Sequence, residues 1–359
     1  MFKYLIKVKP LGFLYGSAGA FLSAENLVGK SGAKFPPDAA ALSGLILSTY
    51  QENTSATKDE IQQLKLNLTV AGAFWAKDDD LASNQNFYVP IPRSHVVGEK
   101  DKDFDDWFLE GDQWKRHKKD LEPEFRWQSI NSWSKKTDQI KRSTDVSEQP
   151  WKFTPILHPY LKNDEKHVKE KDGLFLENAV QMSDDSCLVY LATHTIPDGW
   201  YRFGGESHLV EITCQGIKEY SSIFKLLRQK INCHFALITP AVWGTNNLST
   251  RYPKAFKAGA KPPQMLTDRP EAFRYRLGKN DPQNKRASHL GIGRYAVPAG
   301  TVYVLKHQLD MTWWDFPNEW FPQSREQVPA DYNHNTLLKQ LGCGLCLPIE
   351  IKIEQKGVD

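Results

Sequence analysis

A chain of 359 residues and 41.0 kDa, 40% hydrophobic and 25% charged, has the make-up of an ordinary globular protein long enough for two packed units. No apolar run reaches membrane-spanning length, and the opening MFKYLIKVKP has neither the long apolar stretch nor the small-residue cleavage site of a signal peptide, so a cytoplasmic protein is expected. The net charge of +3 hides a segregation: Arg251 to Lys306 carries +9, leaving −6 on the rest, which points either to a polyanionic partner or to a solvated basic loop.

In chain order, Phe2 to Lys9 alternates as a half-buried strand, with Phe2, Tyr4, Ile6 and Val8 on the packing face. A long loop punctuated by Gly12, Gly16, Gly19, Gly29 and Gly32 follows, and Pro36, Pro37 and Asp38 then open a helix whose buried stripe is Ala40, Ala41, Leu45 and Ile46. Leu66 to Trp75 and Phe87 to Ile91 read as further strands. From Glu99 to Glu148 the character changes: 24 of 50 residues are charged, yet tryptophans recur, so the segment is neither a plain core nor a plain linker. An insertion docking on a partner through Trp107, Trp114, Trp127 and Trp133 is expected; the alternative is that these rings cover the protein's own surface.

A second run of elements begins near Gly173. Cys187 to Thr193 and His208 to Thr213 read as strands, Gly216 to Lys230 as an amphipathic helix, and Cys233 to Thr239 as a buried strand. Thr301 to Leu305 and Leu347 to Ile353 complete the series. Both halves read as a few strands with a helix crossing one face. That pattern predicts an α+β protein of two units, residues 1–170 and 171–359, the first carrying the insertion at about 99–148.

KPLGFLYGSAGAFLSAENLVGKSG running into FPPDAAALSGLI, then YRFGGESHLVEI, ITPAVWG and GIGRYAVPAGTVYVLK, resemble in order the repeat-associated mysterious proteins (RAMPs) of type III-B CRISPR effector (Cmr) complexes, specifically the subunit family that caps the 5′ end of the crRNA. The resemblance covers residues 3 to about 306. It implies two ferredoxin-like (RRM-like) folds, the crRNA 5′ tag held between them, a large polymerase-palm subunit on one side and a backbone RAMP subunit on the other. It implies no catalysis and no cofactor.

A single-stranded guide is held through phosphates, sugars and exposed bases, so its site needs backbone that can be approached closely, cations and aromatic faces. In the first half the candidates are Gly12, Gly16 and Gly19 for close approach, Ser17 and Ser31 for hydroxyls and Lys30 for charge, or else a loop that needs its glycines only to turn. In the second half Gly204 and Gly205 admit a backbone, whereas Glu206 would repel phosphate and is better read as an orienting residue. Arg251, Lys254, Lys257 and Lys261, with Tyr252 and Phe256 interleaved, form a phosphate track, extended by Arg274, Arg276, Lys285, Arg286 and Arg294.

For cleavage, His95 is the candidate base of a rival reading, a guide-processing endoribonuclease. A second rival, suggested by eleven tryptophans, is a carbohydrate-binding or hydrolysing protein. Asp103, Asp105 and Asp106 are expected to be solvated. Five scattered cysteines suggest reduced thiols, and the Cys343, Cys346 pair lacks the two further ligands that a structural zinc needs, so buried thiols are expected there.

Overall fold

The computed structural model describes residues 1–15, 35–53, 56–159, 174–204, 208–277, 289–323 and 337–354. An eight-stranded antiparallel sheet forms the larger unit, in the spatial order Val146–Ser147, Trp127–Ser129, Tyr88–Pro90, Val70–Lys77, Ser186–Ala192, Tyr4–Pro10, His208–Gly216, Gly199–Phe203. Its four central strands, numbered along the chain, lie in the order 2-3-1-4. With the helix Ala39–Glu52 connecting the first two, this is the ferredoxin-like arrangement.

The smaller sheet repeats that order. Gln264–Leu266, Val302–Val304, His234–Leu237 and Cys346–Pro348 are neighbours in that sequence, every pair antiparallel, which is again 2-3-1-4. Short 3-10 turns at Lys254–Phe256, Trp313–Asp315 and Leu338–Leu341 stand in the connections where the larger unit has a helix. The α+β class and the doubled ferredoxin-like plan therefore hold.

The division expected between residues 170 and 171 does not coincide with the sheets. Ser186–Ala192 pairs with Tyr4–Pro10 from Leu188↔Val8 to Ala192↔Tyr4, and His208–Gly216 pairs with the other side of the same strand. At the level of sheets the boundary falls between Gly216 and His234.

Burial explains why these segments are strands. In Ser186–Ala192 all seven residues are buried; Leu188, Tyr190 and Ala192 enter one core while Cys187, Val189 and Leu191 enter the other, the period-2 split of a strand covered on both faces. The first strand behaves likewise, Leu5 facing one core and Ile6 and Val8 the other, so the single packing face expected for it is in fact two. One core lies between the large sheet and the small unit. The other lies under Ala39–Glu52, whose Ala39, Leu42 and Ile46 are buried, and under the helix Lys58–Asn67.

The charged segment is woven into this framework. Trp127–Ser129 and Val146–Ser147 extend the large sheet, Phe108–Glu110 pairs in parallel with the chain's Ile353–Glu354, and Trp133 is 3% exposed with its indole N–H donating to the Pro348 carbonyl at 2.9 Å. It is not a separable insertion. A long hairpin, Trp151–Pro159 against Leu174–Met182, also joins the large unit through Leu14–Tyr15.

Candidate nucleic-acid interface

The backbone settles where two of the glycine positions lie. Pro10 pairs with Val210, and the Leu11 amide donates to the Leu209 carbonyl at 3.2 Å, while Phe203 pairs with His208 across the next ladder. Gly12 and Gly204 therefore emerge at one corner of the large sheet. Gly204 has φ +81, a conformation that favours glycine, and no atom lies within 4 Å of where a Cβ on Gly12 would stand. Gly16, Ser17, Gly19, Lys30, Ser31, Gly205, Glu206, Lys285 and Arg286 lie outside the described residues.

A crevice between the units collects other predicted parts. Asp38, Ala39 and Ala40, where the chain re-enters from the glycine loop, face Thr239, Phe273 and Gly342 of the small unit across Gly72 of the large sheet. Phe273 directly precedes Arg274, so the exit of the glycine loop and one part of the basic segment share this crevice. The closing LGCGLCLP lines it for a packing reason: Gly342 (φ +67) and Gly344 (φ +70) are tight against Ala71 and the Trp243 ring, with Cβ clearances of 2.4 and 2.6 Å.

Arg251, Lys254, Lys257 and Lys261 are all exposed. The loop that carries them is anchored by Phe256, which is buried edge-on to Phe235, Trp243 and Tyr303. Phe256 is thus core and offers no stacking face, and its anchoring turns the flanking Lys254 and Lys257 outward. Lys257 lies 6.0 Å from the Tyr252 ring centroid. Nearby, Lys306 is 3.2 Å from Asp112, whose carboxyl is held below its usual range chiefly by that hydrogen bond.

The rest of the predicted track divides. Arg294 is only 8% exposed, and its guanidinium donates to the carbonyls of Thr245 (3.0 Å), Asn246 (2.8 Å) and Gln323 (2.9 Å); a phosphate contact is corrected to a buried clasp. Arg274 is half-buried and its Nε donates to Gly291 O at 2.7 Å. Arg276 lies in the two-residue strand Arg276–Leu277, paired with His289–Leu290.

The four tryptophans expected to meet a partner cover the protein itself. Besides Trp133, Trp127 packs edge-on to Trp75 and Trp151, Trp114 packs against the core between the units, and Trp107 is half-buried under the Arg116 guanidinium at 5.0 Å. Spacing alone could not distinguish the two, because an exposed and a core tryptophan look alike inside a charged stretch.

His95 Nδ1 lies 2.7 Å from Asp106 Oδ1 and 2.6 Å from Thr137 Oγ1, and its side chain is 13% exposed. Burial raises the Asp106 carboxyl, but the hydrogen bonds from His95 and Thr137 outweigh it and hold the group below its usual range. Asp105 is likewise engaged, accepting from the Lys118 amide at 2.6 Å, so neither aspartate is simply solvated. Cys343 and Cys346 are buried free thiols, burial pushing the latter's pKa up. Among the described residues no group of three or more His, Cys, Asp or Glu could hold a metal, and no helix is long and apolar enough to cross a membrane.

A family model described as CRISPR-associated protein (Cas_Cmr3) matches residues 13–351. Among solved structures, the chain is similar to one from the cryo-EM structure of the Type III-B Cmr-beta bound to cognate target RNA, at 11% identity over 84% of this chain and 86% of that one, TM-score 0.47. It is also similar to one from the crystal structure of a Csm1-Csm4 cassette in complex with pppApA, at 11% identity over 97% and 98%, TM-score 0.40. No curated protein matches.

Proposed function

The chain belongs to the CRISPR-associated Cas_Cmr3 family, and from that premise we propose that it is a non-catalytic, cytoplasmic, crRNA-binding subunit of a type III-B effector complex. It holds the 5′ tag of the guide and bridges the large polymerase-palm subunit to the backbone RAMP filament in antiviral defence. The observation that carries the RNA-binding part is the exposed run Arg251, Lys254, Lys257 and Lys261, set outward on a loop pinned by Phe256. Such a run neutralises phosphates without reading sequence, and close backbone approach near Gly12, Gly204 and the inter-unit crevice supplies the register. The test is an anisotropy titration of the chain, alone and within the co-expressed complex, against guide RNA with an intact or scrambled 5′ tag. Tighter binding of the intact tag supports the reading, and equal binding of the two opposes it.

The endoribonuclease reading is less well supported. His95 is tied through Nδ1 to Asp106 and Thr137 and is mostly covered, so its ring serves the local structure better than it serves a substrate. Incubation with repeat RNA decides this: cleavage that His95→Ala abolishes would restore it.

A further inference from the structure

Tyr295 stands out in the basic segment because its backbone is fixed while its ring is bare. The ring is 66% exposed, yet Arg294 before it and Ala296 after it are buried. Val297 exchanges both backbone hydrogen bonds with Ala241, at 2.7 and 2.8 Å, and Phe273 pairs with Arg294. The Arg294 clasp then ties this strand to the 245–246 turn, whose hairpin continues to Leu248, itself 64% exposed. The Tyr295 amide donates to Ser249 Oγ at 3.3 Å, so Leu248, Ser249 and Tyr295 lie on one surface, with Arg251 two residues beyond Ser249. Across the strand pair, the residue opposite Tyr295 is Ala272, too small to cover the ring.

We propose that Tyr295, framed by Leu248, is a stacking platform for one base of a single-stranded nucleic acid, with Arg294 as a positioning residue. The occupant follows from charge. The platform lies inside the stretch that carries +9, and an exposed aromatic ring beside exposed cations is the chemistry that holds an unpaired base while its phosphates are neutralised. A rigid ring loses little freedom on stacking. The buried guanidinium is the device that makes it rigid, since a buried charge is tolerated only when its donors are engaged.

The proposal rests on the RNA-binding reading, and the experiment separates the two. Guide RNA carrying 2-aminopurine at successive positions is titrated against the wild-type chain, Tyr295→Ala and Tyr295→Phe at several salt concentrations. Tyr295→Ala should weaken binding roughly 5- to 150-fold, the span expected for one base–aromatic stack. It should also remove the fluorescence quench at one position and leave the salt dependence unchanged, and Tyr295→Phe should restore both affinity and quench. Equal melting temperatures for the three proteins check the fold. If the wild-type protein binds guide RNA and Tyr295→Ala binds equally well, the platform is wrong while the RNA reading stands. If the wild-type protein binds no guide RNA even within the complex, the reading itself falls and the platform with it. Loss of a protein partner by Tyr295→Ala at unchanged RNA affinity overturns the proposal in favour of a protein contact.

Discussion

Gly342 packs so tightly on Ala71 that a Cβ at position 342 would stand 2.4 Å from the Ala71 Cβ and 2.8 Å from the Val70 carbonyl oxygen. The loop before the last strand of the small sheet is thereby seated on the second central strand of the large one. Gly342→Ala adds both this clash and an alanine at φ +67, and should destabilise the protein by about 2–4 kcal/mol, read as a fall in the urea midpoint. Because Gly342 lines the crevice beside Asp38 and Phe273, a viable variant should also bind guide RNA more weakly.

Trp133→Ala removes a ring buried between the units together with its bond to the Pro348 carbonyl, and should cost about 3–5 kcal/mol in thermal or chemical unfolding. Trp107→Ala, at a half-buried ring covered by Arg116, should cost less than about 1.5 kcal/mol. Deleting residues 103–143 takes away Trp127–Ser129 from the large sheet as well as Trp133, so the shortened chain should be recovered insoluble.

Arg294→Met leaves the carbonyls of Thr245, Asn246 and Gln323 without this donor, and a loss of about 2–3 kcal/mol in stability is expected. If Arg294 were instead a phosphate contact, the variant would keep its stability and lose salt dependence in RNA binding. Paired unfolding and salt titrations separate these outcomes.

Lys339 donates to the carbonyls of Trp314 and Phe316 at 2.7 and 2.5 Å, and burial lowers its pKa from 10.5 to about 8. Between those two values the unfolded chain holds a proton that the folded chain does not, so this group makes stability rise as pH increases from about 8 to 10.5. Other lysines and tyrosines titrate there too. The difference in unfolding free energy between wild type and Lys339→Met should therefore grow with pH across that window, and a flat difference would exclude the effect.

Strands with strong apolar alternation or runs were legible before any fold was known: Tyr4–Pro10, Ser186–Ala192, His234–Leu237 and Val302–Val304 all lie where their patterns placed them. The helix Lys58–Asn67 was not, because it buries only Leu64 and its stripe is faint. Its signal was at the end: Thr57 accepts from the Glu60 amide while the Glu60 carboxylate accepts from the Thr57 amide, a capping box that can be read from T-x-x-E. Arg294 and Trp133 were misjudged for a shared reason. Local composition suggests exposure for an arginine beside glycines or a tryptophan among charges, whereas their burial comes from residues far along the chain, Gln323 and Thr245 for one and Pro348 for the other.

Whether the outward cations hold a guide strand is tested most directly by charge reversal at Lys254, Lys257 and Lys261 together, with guide RNA affinity followed from low to physiological salt. Weaker binding is predicted, along with a salt slope shallower by about 2, since each phosphate released from a single strand accounts for roughly 0.7. Affinity and slope matching those of the unaltered protein would contradict it.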